Sequence, residues 1–370
     1  MINNSIKYMP LHDVISYEQP TKYIVQSQAY RDDYQLPVLT AGKSFILGYT
    51  NETKGVCMAS KENPVIIFDD FTTSLHWVDF SFKIKSSAMK ILHPVDNTVN
   101  FKYLYYQLKN LNYTVSPGTH SRHWISKYSK QTIAIIPIDE QNEIVRILDN
   151  FRELESELKL ELIDRKIQYN FYRKYLLDLV DDNDSITKYL SEISIYENGK
   201  GHEKFIETNG QYTLINSKFI SSEGEVYKKT AQQFSPIYNN EIALVLSDLP
   251  NGKALAKCFF VQDDNKYSVN QRICRISVTS EEVIPKYLFY YLDRNSQLLQ
   301  YNNGSDQTNL RKESVLEVLV KIPSIKKQRQ IIETLDVFDS LVKSTFLGLP
   351  AEIEARRKQY EYYRNKLLTF

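Results

Sequence analysis

The stretch 136–177 is written a second time at 322–368, and this repeat constrains the fold more than any other feature. Ile136-Pro137, Gln141, Ile144, Leu148-Asp149, Phe151, Gln168-Tyr169, Tyr172-Arg173 and Leu176-Leu177 are answered by Ile322-Pro323, Gln328, Ile331, Leu335-Asp336, Phe338, Gln359-Tyr360, Tyr363-Arg364 and Leu367-Leu368. Self-similarity at so long a period means that each copy folds as one unit, with the two copies expected to pack on one another. The upstream edges align as well. Leu11 to Glu18 answers Leu190 to Glu197, Phe101 to Tyr106 answers Pro285 to Tyr290, and Gly118 to Pro137 answers Gly304 to Pro323 without a gap. The chain is therefore one unit of roughly 180 residues, duplicated, in keeping with a length beyond which a single core stops growing.

In the first copy Ile144, Leu148, Phe151, Glu155, Leu158, Leu162, Arg165, Tyr169, Tyr172, Leu176 and Leu179 follow at spacings of four and three, and all but Glu155 and Arg165 are apolar or aromatic. This pattern predicts a coiled-coil seam on a helix of roughly 60 Å. Pro137 and Asp139-Glu140 suit its start, and Asp181 to Asp184 its end. The second seam runs Ile331, Leu335, Phe338, Val342, then Ile353, Arg356, Tyr360, Tyr363, Leu367 and Phe370, with a break expected at Gly348-Leu349-Pro350. Four residues are inserted there, about one turn, so the register recovers and an arginine recurs on both stripes, Arg165 and Arg356. Two readings stand for that pair: it sets the register or meets a partner, or each guanidinium snorkels to water. Tyr169, Tyr172, Tyr360 and Tyr363 fall on the seam, where packing between helices is a simpler account than stacking on bases.

Between the repeats, short apolar runs (64–68, 80–84, 241–246, 272–276) alternate with Gly, Asn and Asp turns and precede a helix near 100–111 or 285–299. The fold class expected is α/β (α+β): two pseudo-twofold-related domains separated by two long antiparallel coiled-coil helices. The expected boundaries are 1–138 for the first domain, 139–180 for the first long helix, 181–323 for the second domain, and 324–370 for the second helix, broken near 348–350. Residues 1–138 and 324–370 are basic and 139–323 acidic, within a net charge of +1, which neither establishes nor excludes a polyanionic partner. No run approaches the roughly 18 apolar residues of a membrane span, and the start lacks a signal-peptide pattern, so a cytoplasmic protein without membrane association is expected. Cys57, Cys258 and Cys274 form no CxxC pair, and buried thiols are expected.

The Ile-Pro, Gln and Leu-Asp start of each long helix, its Gln-Tyr-x-x-Tyr-Arg end and the Gly-Leu-Pro break resemble the specificity (S) subunits of type I restriction-modification enzymes. Tyr17 to Tyr23, Pro37 to Gly42 and Phe68 to Thr73 are similar to the target recognition domains of that family. The resemblance covers essentially the whole chain. It implies two target recognition domains, each reading one half of a bipartite, asymmetric double-stranded DNA site, with the helices setting the unread spacer and docking two modification (methyltransferase) subunits. S-adenosylmethionine and the adenine methyltransferase chemistry are expected on those subunits, and restriction subunits (the ATP-dependent translocase and nuclease) would complete the complex. This chain itself is expected to be non-catalytic and to hold no cofactor or metal.

The residues are consistent with that expectation. No Pro-Pro is present to build the Asn/Asp-Pro-Pro-aromatic loop that holds a flipped base, and Gly199-Lys200-Gly201 is not followed by a dinucleotide or Walker pattern. His120-x-x-His123 lacks further ligands and reads as a polar loop. Asp32 with Glu52-Thr53-Lys54 could be cast as a nuclease constellation, but Asn51 to Gly55 reads as a polar turn. For DNA contact the candidates are Lys43, Thr72, Thr73, His76, Lys83, Lys85, Arg122 and His123 in the first domain, with Arg122 suited to guanine. In the second they are Lys200, Lys253, Asn270, Arg272, Gln307 and Asn309, whose amides can pair with adenine. Against these stand simple solvation of the lysines, burial of Thr72 and Thr73 in a strand, and helix capping by Asn309. For pairing of the two helices or subunit docking, the candidates are Leu148, Phe151, Arg165, Tyr169, Tyr172, Leu335, Phe338, Arg356, Tyr360 and Tyr363. The competing functional class is a coiled-coil assembly scaffold without DNA specificity; a self-contained nuclease or methyltransferase ranks below it.

Overall fold

Strands and helices in this chain follow one order twice. The computed structural model describes residues 6–41, 44–111, 113–115, 121–178, 185–248, 254–302, 304, 307–344 and 347–370. They form two units, Met1–Lys159 with Glu352–Phe370, and Leu160–Ala351.

The first unit begins with β1 (Lys7–Pro10), α1 (Leu11–Val14) and β2 (Ile15–Glu18), followed by β3 (Leu36–Leu39), β4 (Ile46–Thr50), β5 (Val65–Asp69), β6 (Leu75–Val78), β7 (Lys83–Ile84) and β8 (Met89–Pro94). Then come α2 (Phe101–Asn110) and β9 (Thr132–Ile135). An antiparallel sheet has the order β2-β8-β5-β6, and a second, β4-β3-β7, contains the parallel pair β3–β7. The strand β5 is buried throughout because its alternate side chains enter different cores. Ile66 and Phe68 join Tyr103, Leu104 and Leu108 of α2, while Val65 and Ile67 join Leu39, Phe82 and Ile84. A continuous apolar run is what a strand covered on both faces requires.

The long helix α3 (Ile138–Asp178) is unbroken for 41 residues, roughly 60 Å at 1.5 Å per residue. In the second unit β10 (Ile186–Tyr189), α4 (Leu190–Ile193), β11 (Ser194–Asn198), β12 (Tyr212–Ile215), α5 (Ser217–Ser221), β13 (Lys228–Thr230), β14 (Pro236–Ile237), β15 (Ile242–Val245) and β16 (Ser247–Asp248) come first. They precede β17 (Cys258–Phe260), β18 (Tyr267–Val269), β19 (Ile273–Val278), α6 (Pro285–Leu292), α7 (Ser296–Leu299), β20 (Thr308–Asn309), α8 (Lys312–Leu316) and β21 (Leu319–Ile322). The sheets β11-β19-β15-β17 and β13-β12-β18-β14, with β12–β18 parallel, repeat the connectivity of the first unit, with β14 added at the edge of the second sheet. The middles that diverge in sequence thus share one topology. The helix expected over 285–299 is divided instead, because Arg294 takes a left-handed φ of 57° and the Asn295 side chain caps α7.

The repeated signature residues explain why both copies fold alike. The side chain of Gln141, almost fully buried, accepts from Asn100 N at 2.8 Å and donates to Ile136 O at 2.7 Å. Gln328 accepts from Ile284 N at 2.8 Å and donates to Pro323 O at 2.9 Å and Glu282 O at 2.7 Å. Two turns on, Asp149 accepts from Tyr106 Oη at 2.5 Å and pairs with Lys102 at 3.0 Å; Asp336 accepts from Tyr290 Oη at 2.5 Å and pairs with Lys286 at 2.8 Å. Burial, then the neighbouring carboxylate, pushes both phenols up, so each remains a donor. These bonds fasten the start of each long helix to the short helix of its own unit.

The second long element consists of α9 (Ile325–Lys343) and α10 (Leu349–Leu368). Pro350 lies in the first turn of α10, where a missing N–H costs nothing, so it starts a helix rather than kinking one. Gly348 is required by close approach, since a Cβ there would lie 2.5 Å from Ser340 O. Among the described residues no helix is long and apolar enough to cross a membrane.

Replacing Gln328 with Ala strands the Ile284 amide and leaves carbonyls unpaired, so a loss of about 1–3 kcal/mol in unfolding free energy is expected. Urea denaturation of the variant beside Gln141→Ala tests this, and a loss under about 0.5 kcal/mol at both sites would show that the clamp does not carry the fold.

Candidate nucleic-acid interface

In the second unit two loops are forced together. A Cβ on Gly199 would lie 2.1 Å from Asn270 O, so glycine alone allows the approach, and Gly199 N and Lys200 N donate to Ile273 O (2.9 Å) and Val269 O (3.1 Å). His202, with no exposed surface, locks the pair. Its Nδ1 lies 2.6 Å from Lys200 O and its Nε2 2.8 Å from Ser268 Oγ, an arrangement that suits a neutral ring donating through Nδ1. Burial lowers its pKa, with the Lys200 carbonyl acting in the opposite sense.

This pinning presents Asn270, Gln271 and Arg272 on a cleft of about 310 Å³ whose other polar walls are Asn216, Ser217, Lys218, Lys228 and Glu203. Lys200 is exposed on the adjoining loop. Three cations against one carboxylate, with three amides in the same lining, offer donors for phosphate oxygens and two-sided partners for base edges. Gln307 and Asn309 lie apart from this lining, on β20 and its approach. Gln307 Nε2 donates to Ser247 Oγ at 2.8 Å, and Asn309 pairs with Ser247 in the β16–β20 ladder. Asn309 does not cap the next helix, whose N-cap is Arg311. Lys253 lies outside the described residues.

The first unit has the same frame with different side chains. Lys85 N donates to Leu39 O at 2.8 Å as Asn270 N donates to Ile215 O at 3.0 Å, and Val25 N donates to Ile84 O at 2.9 Å as Lys200 N does to Val269 O. Lys85 and Asn270, chosen separately from sequence, thus occupy one position of the fold. Lys85 Nζ sits 3.4 Å from Tyr30 Oη and over its ring. Arg122 is exposed on a loop fixed by Asp70: His123 N donates to Asp70 O at 2.9 Å and Trp124 N to Asp70 Oδ1 at 2.8 Å. Asp70 and Lys90, 3.6 Å apart, are both almost fully buried, and Lys90 also bonds to Gln19.

Other candidates are engaged inside the unit. Lys83 is 2% exposed, pairs with Glu52 at 2.8 Å and donates to Lys54 O at 2.6 Å, so it holds the 51–55 turn and is not a free cation. His123 is buried, with Nδ1 2.9 Å from Tyr113 Oη. His76 stacks on Phe45 at 3.9 Å, and burial, then Lys109, lowers its pKa. Thr72 and Thr73 lie in the β5–β6 turn rather than in a strand; Thr72 Oγ1 donates to Asp69 at 2.6 Å, and Thr73 has a left-handed φ of 60°. Lys43 and His120 are outside the described residues. Glu52 is fully used, since its other oxygen accepts from Gln26 N and Ser27 N, and Asp32 is exposed without forming part of that constellation.

On the long helices Leu148, Tyr169 and Leu335 are buried in the cores of their own units. Phe151 stacks on Tyr363 at 5.3 Å and Tyr172 on Phe338 at 5.5 Å, while Tyr360 packs against the first core. Leu148, Tyr169 and Leu335 thus close their units, whereas Tyr172 stays 38% exposed. Arg165 bonds to Glu161 and Gln168, and Arg356 to Glu352 and Gln359, each on its own helix and partly exposed. The exposed apolar stripe is another face of α3, formed by Leu160, Ile163, Ile167 and Phe171, each more than half exposed. The sequence reading missed this stripe because the seam pattern drew attention to the opposite positions. It also missed His202 and Asp70, whose sole signals were a lone His beside Gly199-Lys200-Gly201 and an Asp-Asp pair closing an apolar run.

Two copies of one α/β unit, each with loops fixed by buried polar groups and exposing polar side chains, define a duplicated recognition protein. Residues 3–164 and 183–355 match the type I restriction modification DNA specificity domain. The chain is 40% identical to the specificity subunit of the Escherichia coli type I restriction enzyme EcoR124I/EcoR124II, over 99% of this chain and 94% of that one. Its fold matches the S subunit of a type I restriction-modification system from M. genitalium (TM-score 0.58, 14% identity, 100% and 97% covered). It also matches a chain from a study of complex assembly and conformational transition in the type I system (TM-score 0.63, 11% identity, 100% and 98% covered). The chain belongs to the family of type I restriction-modification specificity subunits.

Because His202 is neutral when folded and its pKa is lowered from 6.5, the stability it contributes is complete above that pH and is lost as pH falls, when only the unfolded ring gains a proton. Wild type should therefore lose its stability advantage over His202→Gln between about pH 7 and pH 5. Urea denaturation at both pH values measures the gap, and a gap independent of pH would contradict this account of the ring.

Proposed function

We propose that this chain supplies DNA sequence specificity to a type I restriction-modification complex, with each unit reading one half of a bipartite asymmetric site. The observation that carries this reading is the equivalence of Lys85 and Asn270: one backbone frame, used twice, places a different side chain at the same loop position. An amide there can accept from N6 and donate to N7 on the major-groove edge of adenine, whereas a lysine favours guanine or a phosphate. Lys200, Arg272, Lys218 and Lys228 in the second unit, and Arg122 with Lys85 in the first, would supply the surrounding phosphate and base contacts. Lys43, Lys253, Gln307 and Asn309 would add further contacts, whereas Lys83, buried against Glu52, would not.

The long helices would fix the distance between half-sites, about 34–36 Å for successive major grooves. The stripe from Leu160 to Phe171 would dock modification subunits, which carry S-adenosylmethionine and the methyl transfer, with restriction subunits completing the nuclease. Positioning is then this chain's contribution to a reaction performed by its partners.

In cells carrying the reconstituted complex, Asn270→Ala and Arg272→Ala should relax or change only the half-site read by the second unit, and Lys85→Ala only the other. Loss of one bidentate base contact is worth about 1–3 kcal/mol of discrimination, or roughly 5–150-fold. Sequencing of methylated adenines reads both half-sites at once. If all three variants methylate the parental motif alone at the parental level, these loops do not read DNA, and an assembly scaffold becomes the better account.

A further inference from the structure

A second basic cleft lies within the second unit, away from the candidate reading loops. It has a volume of about 460 Å³, between α3, the end of α9 and the sheet edge before β17. Five cationic side chains line it against two carboxylates, Glu223 and Asp293. Its floor is already neutralised: Arg173 donates to Tyr290 O at 2.7 Å and to the Asp293 carbonyl, and pairs with the Asp293 carboxylate at 3.7 Å. Lys343 pairs with Asp339 and lies over the Tyr169 ring. Lys166 on α3 and Lys257 are different, since their ammonium groups have no hydrogen bond or ion pair among the described residues. Two unpaired cations facing one cleft repel one another unless an anion lies between them.

We infer that this cleft binds the phosphodiester backbone of the DNA duplex, through Lys166 and Lys257, without reading sequence. The inference rests on the DNA-reading assignment above and extends it to a second surface. Continuity favours DNA over other anions: Ser217 and Lys218 of α5 line the reading cleft, while Ile220 and Glu223, at and just beyond its other end, line this one. Five helical residues span about 7 Å, the rise of roughly two base-pair steps, so a strand passing the reading cleft reaches this one within a few nucleotides. Glu223 shares the lining, and its charge favours a phosphate held against Lys257 and Lys166 rather than against that carboxylate.

The test is the salt dependence of duplex binding by the full chain in complex with modification subunits. The double variant K166Q/K257Q should lower the slope of log affinity against log salt by about 2, since each phosphate contact contributes about 0.9. It should weaken cognate and unrelated duplexes by the same factor and leave the methylated motif unchanged, while K257R keeps the wild-type slope. An unchanged slope overturns the inference; a thermal shift with inorganic phosphate, present in wild type and absent in the variant, would then assign the cleft to a free anion. Loss of co-purifying modification subunits would assign it to an acidic protein surface and also overturn it. The two assignments fail separately: Arg272→Ala reports on the motif, and the slope of K166Q/K257Q reports on the cleft.

Discussion

Everything in each unit depends on how the long helix is fastened where it begins. A buried glutamine and, two turns later, a partly exposed aspartate perform that task, and at the glutamine an unpaired amide would be costly. Gln141 and Gln328 satisfy an amide that precedes the short helix and a carbonyl that precedes the long one, so two chain segments can be brought together in only one way. Asp149 and Asp336 then fix rotation, because a tyrosine and a lysine from one face of the short helix must both reach the same carboxylate. Apolar packing alone would tolerate sliding by a residue; directional bonds to buried groups do not. The repeat survives in sequence at these positions because the geometry has no other supplier.

The reading loops are built by the same logic with different parts. In the second unit a neutral histidine and a glycine that admits no side chain clamp two loops. In the first, a buried aspartate receives two backbone amides from the loop that bears Arg122, with Lys90 neutralising it. Removing one partner from such a site leaves a charge or donor stranded, so the loops are stiff although their tips face solvent. A stiff loop suits sequence reading, since an exposed side chain discriminates between bases only if its own position is settled before DNA arrives.

The duplicated helices and the α/β class were legible in the sequence because they rest on periodicity, which is a property of types and spacing rather than of exact contacts. The strand at 65–69 was legible for the same reason, since the apolar run at 64–68 covers all of it but the closing Asp69. Of the seam residues, Ile144, Leu148, Tyr169, Ile331 and Leu335 are buried, while Phe151 and Phe338 are partly buried and Tyr172 is exposed. Lys83 shows where this stops: a lysine beside a turn looks solvated until its partner, Glu52, arrives from a strand end thirty-one residues earlier in the chain. His202 and Asp70 were invisible for the mirror-image reason, since nothing local distinguishes a clamp from a loop residue. Lys85 and Asn270 were both named, but their equivalence could not be, because it is written in backbone hydrogen bonds and not in sequence offsets, which differ along the two middles.

The two long elements also show how unlike solutions serve like units. The helix α3 continues through 41 residues with no glycine or proline, whereas its counterpart stops at Lys343 and restarts at Leu349, where Gly348 meets the Ser340 carbonyl and Pro350 opens the next helix. A continuous helix carries register from one end to the other at a fixed rise, so every residue of α3 is positioned by every other. An interrupted one allows each segment to settle against its own unit, and the Gln-Tyr-x-x-Tyr-Arg end of α10 packs in the first unit while α9 packs in the second. Duplication therefore did not need two identical rods. It needed one uninterrupted helix and a second element whose two segments each close the core of a different unit.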